Sequence, residues 1–306
     1  MKEYQISDYE KQYMKALIDI YKYGFEDGIN ERTRHSTKRL PGIVFRVDVG
    51  KEFPILKTKF VAGKTALREI LWIWQQQSSN IHDLNASIWD EWADKNGSIG
   101  KAYGAQIKKP VNIYSDIVKR QGFRSYENQA KYVLEYLREY PNGRWAVATL
   151  WNPSELSQMA LVPCCHTSTW NLDGGRLNCV LDQRSGDMPY GVPFNTTQYA
   201  ELMCLFARDL GVEPGILTHV IADAHIYDNQ MEGVEKQIEN YQMLQMTERA
   251  CIDDNLVDGN LLEILRCEPK FTCDAANTDF FSVSDSDCRI EDYKHMGNIS
   301  FGYVVV

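Results

Sequence analysis

Two adjacent cysteines and a later arginine are the residues of this sequence best suited to chemistry. Cys164 and Cys165 stand together, and Arg184 lies beyond a Gly-Gly turn. A thiolate is the nucleophilic form of cysteine, and a nearby guanidinium favours it by lowering the thiol pKa. The residue types therefore allow a nucleophilic cysteine activated by Arg184, although they do not establish one by themselves. The alternative is an inert buried thiol that packs as a small apolar side chain.

A predicted β-hairpin positions these groups. One strand approaches the turn Asp173-Gly174-Gly175, and a second, RLNCVLDQR, leaves it. Glycines at such a turn between two strand-like runs are typical of a hairpin. Because hairpin strands run side by side, we expect Arg184 to lie close to Cys164.

The other elements follow from periodicity and capping signals. The predicted helices run from the Ser7–Glu10 capping box to Gly24 and over 64–76, 198–210 (ended by Gly211) and 228–245, and the further strands over 43–49, 144–151 and 220–227. Residues 250–290 show no clear pattern. Strands and helices mix without strict βαβ alternation, which favours one α+β domain over residues 1–306 rather than a doubly wound α/β fold.

Composition narrows the class of protein. The 306 residues are 44% hydrophobic and carry a formal net charge of -9. This charge disfavours a general nucleic-acid or membrane-surface binder, so an anionic ligand needs a locally basic pocket. The polar N-terminus and the lack of a long apolar run predict a cytoplasmic protein. Eight cysteines without a CxxC pair predict neither a metal site nor a disulfide framework.

Several blocks of the sequence resemble one known family. Pro163-Cys164-Cys165-His166, Gln183-Arg184-Ser185-Gly186-Asp187 and Gly191-Val192-Pro193-Phe194-Asn195 are similar to the active-site signature of folate-dependent thymidylate synthases. Further similar blocks, in the same order, are Arg32-Thr33, 53–59, 69–72, 88–94, Tyr103-Gly104 and 223–227. The resemblance runs from about residue 30 to 240. It implies a twisted mixed sheet flanked by helices, with the sheets of a homodimer packed back to back.

The resemblance also implies a reaction. The expected substrates are dUMP and 5,10-methylenetetrahydrofolate, the latter giving both the one-carbon unit and the hydride. Cys164 is expected to add to C6 of uracil, which makes C5 nucleophilic. Counting back from the Arg-Ser-x-Asp block favours Cys164 over its rival Cys165. No metal, membrane or obligatory nucleic-acid partner is expected.

The resemblance implies catalytic and binding roles for individual residues of this sequence. The catalytic residues implied by the resemblance are Cys164, Glu69, Arg184, Asp187 and Tyr103. The residues implied for dUMP are Arg32, Arg144, Arg184, Ser185, Gly186, Asp187, Asn195, His225 and Tyr227. The residues implied for the folate are Trp89, Trp92, Asp187, Val305 and Val306.

Four of these positions have ordinary structural alternatives. Glu69 could be a surface carboxylate whose stem covers the apolar helix. Asn195 could be the N-cap of a helix that starts at Thr196. His225 and Tyr227 face the same side of a strand, because strand side chains alternate, and could simply pack there.

One departure from the family pattern concerns phosphate binding. The family places two adjacent arginines in the partner subunit's site, whereas this sequence reads Arg144-Trp145. Arg144 is still expected to reach across the dimer. Arg34, Lys38 or Arg39 could replace the missing cation. Smaller departures are Ala62, where relatives often have a histidine, and Cys165 next to the nucleophile.

Two rival functions remain from the sequence. A pyrimidine nucleotide hydroxymethylase would let water trap the one-carbon unit before hydride arrives; Trp89 and the apolar C-terminus argue against it. A catalytically silent paralogue that binds nucleotide or RNA is suggested by Trp145 and by residues 250–290. The net negative charge of the chain argues against RNA binding.

Overall fold

The computed structural model describes residues 4–113, 124–252 and 258–303. The α-helices, numbered along the chain, are α1 (Asp8–Tyr23), α2 (Gly63–Trp74), α3 (Gly104–Ile107), α4 (Gln129–Glu139), α5 (Gly191–Leu210), α6 (Met231–Ile252) and α7 (Gly259–Arg266). The strands are β1 (Phe25–Glu26), β2 (Thr37–Asp48), β3 (Val111–Ile113), β4 (Arg124–Tyr126), β5 (Val147–Thr149), β6 (Cys165–Asp173), β7 (Arg176–Gln183), β8 (Gly186–Asp187), β9 (Glu213–Tyr227), β10 (Lys270–Cys273) and β11 (Cys288–Glu291).

One mixed sheet organises the chain. Its strands follow the order β1-β2-β9-β7-β6-β5, and β8 pairs with β9 beyond the end of β7. The pairs β1–β2, β2–β9, β7–β6 and β6–β5 are antiparallel, whereas β7 and β8 run parallel to β9. This combination of a mixed sheet with segregated helices confirms the α+β prediction.

The sheet buries one face and leaves the other partly open. Along β7 every second side chain is buried, namely those of Leu177, Cys179, Leu181 and Gln183. The helices α1 and α5 cover this face, α2 packs on α5, and α6 packs on α1. The opposite face carries exposed apolar side chains, of which Val44 is 51% and Val147 is 38% exposed. An antiparallel-rich sheet tolerates such a face more easily than a parallel one.

Most predicted elements are present, with corrected ends. Helix α1 begins after Ser7, whose side chain accepts from the Glu10 backbone N–H, and ends before Gly24. The β6–β7 hairpin turns at Gly174 and Gly175, both in the left-handed region with φ of 56° and 77°. Strand β2 starts earlier than predicted and β5 is shorter. Residues 250–290, unassigned from sequence, contain α7, β10 and the start of β11.

The start of α5 overturns one structural alternative. The helix begins at Gly191 with Tyr190 at its N-cap, so Asn195 lies inside the helix and the N-cap interpretation of Asn195 is wrong. The preceding segment offers no capping side chain, and Pro193 is tolerated because the first helical turn does not need its N–H. Gly211 ends the helix in the left-handed conformation, as predicted.

Within the described ranges, no helix combines the length and apolarity that a membrane span requires.

Candidate active site

The hairpin brings Cys164 and Arg184 into contact. The Arg184 backbone N–H donates to the Cys164 carbonyl at 3.0 Å, which continues the β6–β7 pairing. Its guanidinium donates to the Pro163 carbonyl at 3.1 Å and to the Val162 carbonyl at 2.8 Å. These bonds hold Arg184 Nη2 3.8 Å from the Cys164 sulfur. The predicted proximity of the two side chains is therefore confirmed.

The electrostatics of Cys164 correct the sequence-based expectation. Burial raises the pKa of the Cys164 thiol, and this effect outweighs the lowering by the Arg184 and Arg32 guanidiniums. The Asp187 carboxylate raises the pKa slightly further. The expected net depression of the thiol pKa is therefore wrong for the chain alone, because sequence shows the cations but not the desolvation.

Cys165 occupies a different environment. It is the first residue of β6, and its side chain points into the core with 4% exposure. Its thiol lies 3.2 Å from Gln183 Oε1, an atom that also contacts His219 Nε2 at 2.7 Å. Burial holds the Cys165 pKa well above its usual value. This setting is typical of a structural thiol.

Aromatic side chains form a wall beside Cys164. The Tyr103 hydroxyl accepts from the Cys164 backbone N–H at 3.3 Å. The Tyr103 ring meets Trp89 edge-on at 5.0 Å, and Trp89 meets Trp92 at 5.4 Å. Tyr103 has a φ of 44° although it is not a glycine, a conformation that costs free energy and that the surrounding structure must hold in place.

Glu69 is a buried carboxyl on α2 and not the surface side chain of the structural alternative. Only 7% of the residue is exposed. Trp89 Nε1 donates to Glu69 Oε1 at 2.7 Å, and Gln198 Nε2 donates to Oε2 at 3.0 Å. Burial raises the Glu69 pKa to about 7, although both donors lower it. A carboxyl with this pKa can accept and release protons near neutral pH.

A second carboxyl, that of the half-buried Asp187, joins β8 to the end of β9. Asp187 pairs with His225 in the sheet register. Asp187 accepts from the Tyr190 backbone N–H at 3.2 Å and from Gln230 Nε2 at 2.9 Å. Burial raises the pKa of Asp187 and lowers that of His225, while each charge opposes the effect on the other. The rings of His225 and Tyr227 lie 4.9 Å apart, which confirms that they share one face.

Two further predicted residues, Arg32 and Asn195, lie near these groups, whereas Arg144 is not brought to them within this chain. Arg32, on an exposed loop, is close enough to lower the pKa of both Cys164 and Tyr227. A methyl group on Gly191 would lie 3.7 Å from Asn195 Oδ1 and 3.8 Å from the Asp187 Cβ, so both side chains border this glycine.

Ser185 and Gly186 form the backbone that leads from β7 into β8. The Ser185 carbonyl accepts from Gln183 Nε2 at 2.8 Å. A Cβ on Gly186 would lie 2.7 Å from Val192 and 2.9 Å from Ile221, distances that no ordinary contact allows. Glycine is therefore required here by packing of β8 against α5.

The end of the chain approaches this region. The Tyr190 hydroxyl donates to the Gly302 carbonyl at 2.8 Å, and Asn229 Nδ2 donates to the Tyr303 carbonyl at 3.1 Å. His35 joins the Tyr303 hydroxyl, at 2.6 Å, to the Asp228 carboxylate. The predicted folate contacts Val305 and Val306 lie outside the described residues.

Comparison with known proteins settles the family. The family profile described as "Thymidylate synthase" matches residues 11–305. The thymidylate synthase of Clostridium beijerinckii is 37% identical over 297 residues, covering 96% of this chain and 98% of that protein. The chain belongs to the thymidylate synthase family. The enzyme of Bacillus mojavensis is 32% identical, covering 98% of this chain and all of that protein. The solved structure of thermostable thymidylate synthase A from Bacillus subtilis matches with a TM-score of 0.79 at 31% identity, covering 96% and 99% of the two chains.

The arginine-to-tryptophan departure from the thymidylate synthase pattern lies on an exposed loop. Arg144 is exposed, and Trp145 is 58% exposed with its ring stacked on Tyr136. Of the three cations considered as replacements, Lys38 pairs with Glu26, and Arg39 pairs with Asp27 and Asp223. Arg34 is exposed and has a φ of 61°.

Some site residues were not singled out from the sequence. Lys59 is buried, donates to the Pro189 carbonyl at 2.6 Å and lies 5.1 Å from the Phe301 ring centre. Burial lowers the Lys59 pKa to about 8, although Asp187 raises it. Gln198 and Gln230, which hold the two carboxyls, were missed as well. For Gln198 the available signal was a polar residue at a buried position of a predicted helix.

Proposed function

We propose that this member of the thymidylate synthase family converts dUMP to dTMP with 5,10-methylenetetrahydrofolate as the second substrate. The observation that carries the proposal is the contact between the Cys164 thiol and the Arg184 guanidinium, with the buried Glu69 carboxyl in the same site. The name shared by the relatives supports the same reaction. When bound, the folate supplies the one-carbon unit and the hydride.

In this proposal Cys164 adds to C6 of uracil as a thiolate. The thiol rests protonated in the free protein because burial raises its pKa. The Arg184 guanidinium then stabilises the thiolate as it forms, since an adjacent cation favours the charged state. Covalent addition gives C5 the carbanion character that the uncatalysed ring lacks. Cys165 is not proposed as the nucleophile, because its thiol is enclosed in the core.

The nucleotide phosphate is assigned to Arg184, Arg32 and the hydroxyl of Ser185, with Arg144 contributed by the partner subunit. Guanidinium groups present forked donors that match phosphate oxygens. The Asn195 amide is assigned to the O4/N3 edge of uracil. His225 and Tyr227 are assigned to the ribose hydroxyl.

Glu69 is proposed to move protons to and from the base. Its pKa of about 7 allows both protonation states at neutral pH. Tyr103 and Gly186 are proposed to lie around the reacting carbons. The backbone N–H of Cys164 donates to the Tyr103 hydroxyl, which fixes the loop before β6.

The pterin ring of the folate is assigned to the aromatic side chains next to Cys164. Trp89, Trp92 and Tyr103 form a continuous aromatic surface, and the Asp187 carboxyl can pair with ring N–H groups. Val305 and Val306 are proposed to cover the ring and exclude water, which would keep water from trapping the one-carbon unit. These features favour the synthase reaction over the hydroxymethylase reaction.

The proposal includes a homodimer formed through the open face of the sheet, and a cytoplasmic location where reducing conditions keep Cys164 free. The exposed Val44 and Val147 support burial of this face against a second copy.

A product assay tests the proposal. Purified protein is incubated with dUMP and 5,10-methylenetetrahydrofolate, and the nucleotide product is identified by mass spectrometry alongside a Cys164→Ala control. We expect dTMP and dihydrofolate in equal amounts from the wild-type protein only. Hydroxymethyl-dUMP would support the hydroxymethylase, and unchanged dUMP would support a catalytically silent protein.

A further inference from the structure

Two cysteines face each other in the small sheet formed by β10 and β11. Cys273 ends β10, Cys288 begins β11, and the antiparallel register places them directly opposite. This sheet lies in the part of the chain that the sequence left unassigned. The thymidylate synthase reaction proposed above uses neither thiol.

The hydrogen-bonding pattern brings these two residues close together. The Asp274 backbone N–H donates to the Asp287 carbonyl at 2.9 Å, so the next pair along the ladder is the hydrogen-bonded one. Antiparallel pairs alternate, which makes Cys273 and Cys288 a non-hydrogen-bonded pair with Cα atoms about 4.5 Å apart. A disulfide spans Cα separations of about 4.4–6.8 Å. Opposite residues also project from the same face of the sheet.

The two side chains are already in contact and differ in exposure. Burial is the main cause that raises the pKa of the Cys288 thiol, and its hydrogen bond with the Cys273 thiol raises this pKa further. Cys288 is 4% exposed, whereas Cys273 is half-buried. A reagent in solution therefore meets Cys273 first.

The loop between the two strands is fixed to α5, so the thiols stay aligned without a covalent bond. The Phe280 ring packs edge-on against Phe206 at 4.9 Å, and the Phe280 backbone N–H donates to Asp209 Oδ2 at 2.8 Å. Arg208 donates to the Asn277 carbonyl at 2.7 Å. Such anchoring reduces the conformational change needed to join the two sulfur atoms.

We propose that Cys273 and Cys288 form a reversible disulfide when the protein meets a low-molecular-weight disulfide. The Cys273 thiolate attacks one sulfur of the reagent, whose S–S bond breaks and releases one thiolate. The Cys288 thiolate then attacks the Cys273 sulfur and releases the second. The two electrons from the cysteines reduce the reagent to two thiols, which take up the two protons.

The proposed bond is reversible, because a thiolate in solution can reopen a disulfide by the same exchange that forms it. Labile disulfides in reducing compartments are typically transient. The site therefore responds to an oxidising episode and returns to the dithiol afterwards.

The disulfide would restrict the segment between the two cysteines, which contacts α2. The Cys288 carbonyl accepts from Lys64 Nζ at 3.4 Å, and Asp285 in the adjoining turn pairs with Arg68 at 2.8 Å. Lys64 and Arg68 lie on α2, the helix that carries Glu69. Closing the loop between the cysteines restricts the unfolded chain, so the oxidised form should be the more stable one.

Peptide mapping tests the proposal directly. Both cysteines lie in one tryptic peptide, residues 271–289, because Lys270 precedes it and Arg289 ends it. The full-length protein is treated with glutathione disulfide, alkylated and digested. We expect a peptide without alkyl labels that is two hydrogen atoms lighter than the dithiol, and dithiothreitol should restore both labels. Thermal unfolding should show a Tm about 5 °C higher for the oxidised protein.

Two variants serve as controls. Cys273→Ser should lose the internal bond and the Tm shift, whereas Cys251→Ser, which removes a half-buried thiol on α6, should retain both. The proposal is overturned if the wild-type peptide keeps two alkyl labels, or if it carries glutathione without an internal bond. None of these measurements depends on catalysis, so they are independent of the assigned reaction.

Discussion

At the residue scale, the types of side chain indicate which reaction the site can carry out. They do not indicate which of these side chains are protonated. The blocks around Cys164 and Arg184 were sufficient to place both groups in one site. The pKa of Cys164 and that of Glu69 were not predictable, because both are raised by burial. Burial of Glu69 depends on Trp89 and Gln198, which come from remote parts of the chain. Sequence spacing contains no measure of such desolvation.

The Glu69 carboxyl should leave a signature in the pH dependence of stability. Its pKa is about 7 in the folded protein and 4.5 ordinarily, so the folded state binds more protons between these values. The contribution of Glu69 to stability is therefore fully present below pH 4.5 and falls as pH rises to 7. The loss is on the order of 3 kcal/mol.

Substitution of Glu69 isolates this contribution. We expect Glu69→Gln to abolish activity and to remove the pH-dependent loss, so that the difference in unfolding free energy between wild type and variant declines from pH 4.5 to 7. Urea unfolding across this range measures the difference. A constant difference would mean that the carboxyl titrates normally.

At the element scale, locally encoded structure was predicted well. Helix α1 has a capping serine and a terminal glycine, and the β6–β7 hairpin has two glycines at its turn. The start of α5 was missed because its N-cap, Tyr190, makes no side-chain capping bond. Pro193, in the first turn of α5, also suggested from sequence that the helix begins later.

The C-terminal segment contacts the loop after Arg32 and is proposed to lead to the folate site. Tyr303 reaches this loop through its hydroxyl bond to His35. We expect Tyr303→Phe to raise the KM for the folate by about two- to tenfold, because this is the change in affinity that the loss of one hydrogen bond typically causes. The change in the KM for dUMP should be smaller. Steady-state kinetics with Tyr23→Phe as an exposed control measures this effect. An unchanged folate KM would show that the bond does not position the segment.

At the scale of the whole molecule, the sheet order depends on contacts that no local pattern records. Strand β9 lies between β2 and β7, antiparallel to one and parallel to the other. This arrangement joins residues of the first fifty positions to those beyond 210. The mixed sheet was predicted from the family resemblance and not from hydrophobic periodicity.

The open face of this sheet is expected to form the dimer. Val44 is exposed there and lies opposite Val220 in the sheet. We expect Val44→Asp to produce monomers and to reduce activity more than tenfold, because Arg144 would no longer reach the partner's site. Analytical ultracentrifugation and the product assay measure both effects.

The matched control for this experiment is Met246→Asp, at an exposed position on α6. It should remain dimeric and active. A fully active Val44→Asp monomer would contradict both the interface and the role of Arg144.

The proposed bond between the Cys164 sulfur and C6 of the pyrimidine is the step on which the reaction depends. It is tested most directly by mass spectrometry of the intact protein after incubation with 5-fluoro-dUMP and 5,10-methylenetetrahydrofolate. We expect a stable covalent complex that maps to Cys164, forms normally in Cys165→Ala and is lost in Cys164→Ala. A complex that persists in Cys164→Ala, or that never forms in the wild-type protein, would contradict this expectation.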